Sequence, residues 1–142
     1  MHKFLVPIDG SDHAARALQY ALRLAKEIGP VALHIVTVHP EPNVYGEIQV
    51  YVTVERMAEL QRRHSEDILA PALSAAREAG VEHTSEILVG NTASMIVECA
   101  AAQSCDGVIM GTQGRGAVES LLMGSVAIKV VHLTELPVTL VK

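Results

Sequence analysis

The most pointed chemical signal in this chain is a set of glycines. Gly111, Gly114 and the pair Gly124-Ser125 stand in the spacing G-x2-G-x9-G-S, directly after the apolar run Val108-Ile109-Met110. Glycines let backbone N–H groups turn toward an anion and let it approach without a Cβ in the way. A helix starting at Ser125 adds N–H groups that lack internal partners, in a dipole field that favours negative charge. The Ser125 hydroxyl is a further donor, and Arg115 could pair a phosphate in bidentate fashion. The same residues have a plainer reading, in which Gly111, Gly114 and Gly116 make a turn and Gly124-Ser125 caps a helix. Neither of the commoner phosphate loops fits. A Walker A loop from Gly111 needs Lys at 117, where Ala117 stands, and a dinucleotide fingerprint from Gly114 needs Gly at 119, where Glu119 stands.

Other candidate groups form weaker patterns. Asp9-Gly10-Ser11-Asp12 could hold a metal or accept a phosphoryl group, but such sites need more carboxylates and a Lys at other strand ends. Asp106 starts a strand and so faces the wrong edge. For Asp9, turn formation and ligand contact stay open together, whereas Asp12 reads as a helix cap. His34 and His39 point to opposite faces of a strand, the other five histidines are scattered, and the seven make no site. Cys99 and Cys105 form no CxxC pair and read as small buried hydrophobes. No Ser or Cys sits in a nucleophile motif with a base and an orienting acid, so no catalytic residue is assigned.

The elements that must position these residues alternate regularly. Phe4 to Ile8 reads as a strand ended by Asp9-Gly10-Ser11, and Asp12 to Ile28 as a helix stopped by Gly29-Pro30. Val31 to Val38 reads as a strand buried on both faces, and residues 55–79 as a helix that Pro71 should kink or locally break. Glu86 to Val89, Asp106 to Met110 and Val138 to Val141 read as strands, Thr92 to Ala102 and Ser125 to Leu133 as helices. This βαβαβαβαβ order predicts a parallel sheet with helices on both faces. Ligands in such sheets bind at the C-terminal strand edge, where the strand order reverses. Glu47 to Val54 alternates polar and apolar residues, as an extra edge strand, a flap or an extended lead into the helix would.

Composition sets bounds on the rest. The 142 residues are 49% hydrophobic and 19% charged, enough for one core and too apolar for disorder. No linker or repeat divides residues 1–142, so they are expected to form a single domain. No apolar run is long enough to span a membrane, and the N-terminal run is too short for a signal peptide. Eleven Lys and Arg against sixteen Asp and Glu, with one Phe, three Tyr and no Trp, give no basic or aromatic platform for nucleic acid or an anionic membrane surface. Two isolated cysteines make a reducing cytoplasm the expected location.

The whole chain resembles the universal stress protein family. The resemblance rests on Phe-Leu-Val-Pro-Ile-Asp-Gly-Ser at the start, Leu-His-Ile-Val in the second strand and Gly90-Asn91-Thr92-Ala93. It rests as well on the glycine signature and on Leu-Pro-Val-Thr-Leu-Val-Lys at the end. The signature is that of the family's ATP-binding branch. What the resemblance implies is a three-layer, open, five-stranded parallel sheet of order 3-2-1-4-5, of the adenine-nucleotide α-hydrolase type. It further implies ATP bound at the strand edge, with any Mg²⁺ held mainly by the phosphates. Gly111, Gly114, Gly124 and Ser125 match the family's phosphate and ribose contacts, with Arg115 and Gly116 in the same loop and Val126 next on the helix. Pro7, Ile8 and Asp9 match the end of the first strand, near adenine and ribose. Ile35, or Val36 if the register is off by one, matches the residue whose backbone reads the adenine edge. Gln113 replaces a frequent His. A homodimer formed through Val138 to Val141 is implied too, because a short aliphatic edge is otherwise a liability. The expected function is a nucleotide-dependent stress-response regulator with an unidentified protein partner and at most slow ATP hydrolysis. The alternatives are an enzyme acting at a phosphate and an interaction module with an unoccupied site.

Overall fold

The computed structural model describes residues 1–41, 53–116 and 122–142. Among them the chain forms β1 (His2–Pro7), α1 (Asp12–Glu27), β2 (Val31–His39), α2 (Val54–Glu78), β3 (Glu82–Val89), α3 (Thr92–Ala102), β4 (Gly107–Gly111), α4 (Ser125–Leu133) and β5 (Val138–Val141). The strands make one sheet of order β3-β2-β1-β4-β5. All four pairings are parallel, as the alternation of strands and helices predicts. The order reverses between β1 and β4, and that is where a crevice must open.

Side chains alternate across the sheet and so build two cores. Val6, Leu33, Ile35 and Ile109 face α1 and α2, packing on Ala17, Leu18, Ala21, Leu69 and Ala76. Leu5, Val36, Val108 and Met110 face α3 and α4, packing on Ala93, Ile96, Ala100, Ala127 and Val130. Small residues dominate the helix faces, which lets the backbones lie close to the sheet. β2 is flanked by β1 and β3 and covered on both sides, and every residue from Val31 to Thr37 is buried.

Helix starts follow their caps. The Ser11 hydroxyl accepts from the Ala14 N–H, Thr53 from Arg56 and Asn91 from Ser94. Ser11 therefore caps α1, and Asp12 is already helical. Helix α2 runs unbroken through Pro71, which costs it the bond that residue 71 would donate to the Asp67 carbonyl. β3 begins four residues earlier than its apolar pattern predicts. Glu82, Thr84 and Ser85 are exposed because β3 is an edge strand, and its pairing to β2 from Ala32↔Glu82 onward defines it instead. Most of the alternating stretch from Glu47 to Val54 lies outside the described residues. Its end is described: Thr53 is a cap and Val54 the first residue of α2.

Candidate functional site

At the reversal point the ends of β1 and β4, the loop after β4 and the starts of α3 and α4 enclose a cavity of about 390 Å³. Its floor is apolar, with Pro7, Ile8, Val38, Ile96 and Met110. Its rim is the loop from Thr112 to Gly116 together with the first turn of α4.

Asp9 organises that rim. One carboxylate oxygen accepts from the Ser11 N–H at 2.9 Å, and the other accepts from the Arg115 N–H at 3.1 Å, 106 residues along the chain. A single side chain thus forms the turn after β1 and ties the glycine loop to it. This close approach explains Gly114, since a Cβ there would lie 2.5 Å from Asp9 Oδ2. Gly111 has a different reason: a Cβ would sit 2.8 Å from His13 Cβ and 2.9 Å from the His13 carbonyl carbon. Its lack of a side chain lets α1 pack on the end of β4. Gly116 adopts φ +71°, the left-handed conformation that disfavours a Cβ. The Arg115 guanidinium leans toward α2 and donates to His64 Nε2 at 3.3 Å.

The start of α4 differs from the other described helix starts. Its N-cap is Gly124, which has no side chain to accept from the first turn, and the first backbone bond into the helix is Ile128 N–H to Gly124 O. The N–H groups of Ser125, Val126 and Ala127 are left without intrahelical partners. All three residues line the cavity. Gly124 itself is held in place, donating its N–H to Thr112 O at 2.6 Å. These three groups stand at the positive end of a helix dipole, a position suited to a phosphate-sized anion.

Ten of the twelve residues singled out in the sequence converge on this cavity: Pro7, Ile8, Asp9, Gly111, Gly114, Arg115, Gly116, Gly124, Ser125 and Val126. Ile35 and Val36 do not. Both are 0% exposed, one in each core. The Val36 carbonyl is already taken by the Ile8 N–H at 2.7 Å. Backbone groups alternate edges along a strand, so those of Val38 face the same edge as those of Val36. The β1 register stops at Pro7↔Val36, and Val38 extends past it into the cavity wall. Sequence reasoning missed Val38 because the uniformly apolar run from Val31 to Val38 carries no mark of where β1 ceases to cover it. Thr92, Ile96 and Met110 were missed too, and only the meeting of α3 with the strand ends selects them. Glu119 lies outside the described residues.

The thiols stand apart from this chemistry. Both cysteines are free and buried. Burial, with Glu86 beside it, pushes the Cys99 thiol up to about 11, and burial also raises Cys105. Neither is a thiolate nucleophile at neutral pH. No helix among the described residues is long and apolar enough to cross a membrane.

Comparison with known proteins gives a consistent picture. Residues 1–142 match the profile of the universal stress protein family. Universal stress protein MJ0531 of Methanocaldococcus jannaschii is 34% identical over 142 residues, spanning 99% of this chain and 81% of that protein. The structure of the universal stress protein from Archaeoglobus fulgidus in complex with dAMP superposes with a TM-score of 0.66 at 25% identity, covering 100% of this chain and 98% of that one. A universal stress protein in complex with cAMP gives a TM-score of 0.69 at 25% identity, with 99% and 95% covered.

Proposed function

This chain belongs to the universal stress protein family, and on that premise we propose that it binds an adenine nucleotide, ATP by preference, in the cavity between β1 and β4. The observation that carries the proposal is the α4 start capped by Gly124, whose free N–H groups face the cavity opposite the Asp9-tethered glycine loop. The phosphates lie at that helix start, with Arg115 turning from His64 to meet them. The base lies on the apolar floor, in contact with Pro7, Ile8 and Met110. The Val38 N–H and carbonyl read the adenine edge, which offers one acceptor and one donor side by side. Aliphatic contacts replace ring stacking in a chain with so few aromatics. The nucleotides in the two related complexes support an adenine nucleotide as the ligand.

The proposed role is regulatory. Asp9 is the one carboxylate among the described residues that line the cavity, and both its oxygens already accept backbone N–H groups. It is poorly placed to activate water, and hydrolysis is at most slow. Mg²⁺, where present, is held mainly by the phosphates. The protein acts as a cytoplasmic homodimer that pairs through β5, an edge strand whose Val138, Leu140 and Val141 are half-buried in the single chain. An unidentified protein partner reads the nucleotide state.

The test is to purify the protein without added nucleotide, denature it and resolve the supernatant by anion exchange. ATP released in near-equal amount to protein, and a thermal shift on adding ATP to stripped protein, are the expected results. Absence of both overturns the proposal.

A further inference from the structure

The α3/α4 face of the sheet carries a second constellation, away from the glycine loop. His34 on β2 is 3% exposed, an unusual place for an imidazole. The register puts His34 opposite Thr84 and Val36 opposite Glu86, so His34, Thr84 and Glu86 share one face of the sheet. Cys99, on α3, packs down on that face. His34 Nδ1 lies 2.6 Å from Thr84 Oγ1, and His34 Nε2 lies 3.2 Å from Glu86 Oε1. Cys99 Sγ is 3.7 Å from the same Glu86 oxygen, and the three ligand atoms all lie within 4.8 Å of one another.

We propose that His34 Nε2, Glu86 Oε1 and Cys99 Sγ form a binding site for one zinc-like divalent ion, with a fourth position open to water. The spacing fits such an ion. Bond lengths of about 2.0–2.1 Å to N and O and about 2.3 Å to S, at tetrahedral angles, put N and O about 3.3 Å apart and S and O about 3.6 Å apart. Two edges of the triangle are 3.2 and 3.7 Å, and the third is within 4.8 Å. The donor set is one imidazole, one thiolate and one carboxylate, a borderline-soft combination that suits Zn²⁺ and disfavours Mg²⁺ or Ca²⁺. Thr84 supplies the supporting contact: an Nδ1–H donated to its hydroxyl fixes the tautomer that leaves the Nε2 lone pair for the metal. The Glu86 side chain is 45% exposed, which gives the ion a way in from solvent. On binding, the Cys99 S–H bond breaks, the electron pair goes to the S–Zn bond and the proton to solvent. No oxidant or reductant is needed. The sequence did not announce this site because its ligands come from three separate elements and share no motif.

Cobalt(II) is the probe, since a thiolate ligand gives it a charge-transfer band and four-coordination gives intense d–d bands. The full-length protein is expected to take up one Co²⁺ per chain with both features, and added Zn²⁺ should bleach them. Cys99→Ser should lose the charge-transfer band, and Cys105→Ser should keep it. Glu86→Gln, at a half-exposed position that tolerates the change, should weaken Co²⁺ affinity at least tenfold while a nucleotide-induced thermal shift stays as in the parent. No cobalt uptake, uptake without the thiolate band, or equal affinity in Glu86→Gln would each overturn the proposal. The nucleotide measurement is independent, so failure of this site and failure of the nucleotide site are separable.

Discussion

Replacing Gly114 by Ala adds one methyl group and tests the rim of the cavity. That carbon would lie 2.5 Å from Asp9 Oδ2, well inside van der Waals contact. The Gly114 backbone is not in the left-handed region, so the cost is in the contact and not in the backbone. The carboxylate must move, yet both its oxygens are engaged, with Ser11 and with Arg115. Hydrogen bonds to charged groups contribute about 1.5–3 kcal/mol, and partial exposure of this one places it near the lower end, about 1.5 kcal/mol. Losing the Arg115 tether frees the loop that lines the cavity, and about 1.5 kcal/mol of lost binding is roughly tenfold in Kd. The assay is a double-mutant cycle with Asp9→Ala, with nucleotide affinity measured by calorimetry on stripped protein. Asp9→Ala removes the colliding group, so in that background Gly114→Ala should cost almost nothing, giving a coupling of about the full single-mutant effect. If the two losses simply add, or if Gly114→Ala binds ATP as tightly as the parent, the tether through Asp9 does not hold the loop.

Gly111→Ala should behave differently, because its added carbon meets His13 backbone and Cβ atoms that cannot swing aside. Overpacking of this kind costs roughly 1–3 kcal/mol, so the melting temperature should fall before affinity does, as calorimetry and nucleotide titration will separate. Ser11→Ala removes the α1 cap and should cost about 1 kcal/mol in chemical denaturation, with the Asp9 to Ser11 N–H bond retained. The Cys99 thiol, held at about 11, should react with iodoacetamide at pH 8 roughly 100-fold more slowly than an exposed cysteine at the ordinary value of 9.0. Its rate should rise about tenfold per pH unit up to that value. The folded state holds this proton more tightly than the unfolded chain does. Its stabilising effect is therefore full below pH 9, the ordinary value, and is lost as pH rises toward 11, which denaturant titrations at pH 8 and 10 will detect.

Much of this was written locally. Ser11 and the Gly29-Pro30 stop bound α1 and Asn91 starts α3 through contacts within a few residues, and α3, α4 and β5 have the boundaries their patterns predict. β3 departs furthest among the strands: Glu82 to Ser85 have no apolar pattern, and pairing with β2 alone makes them extended, while β1 runs His2–Pro7 where its pattern predicts Phe4 to Ile8. The glycine signature likewise located the cavity loop, because an anion cradle needs small residues at set spacing in any context.

The sequence by itself determined the alternation of elements, the parallel sheet and the ten residues that meet at its reversal point. It could not assign reasons to the glycines or a register to β2. Gly111 is small to admit α1, Gly114 to admit Asp9, and Val38 is open only because β1 ends two residues short of it. Each of these depends on a distance between segments far apart in the chain. The juxtaposition of His34, Glu86 and Cys99 has the same origin. Local periodicity records which face a residue occupies, and only the packed sheet and helices record what stands opposite.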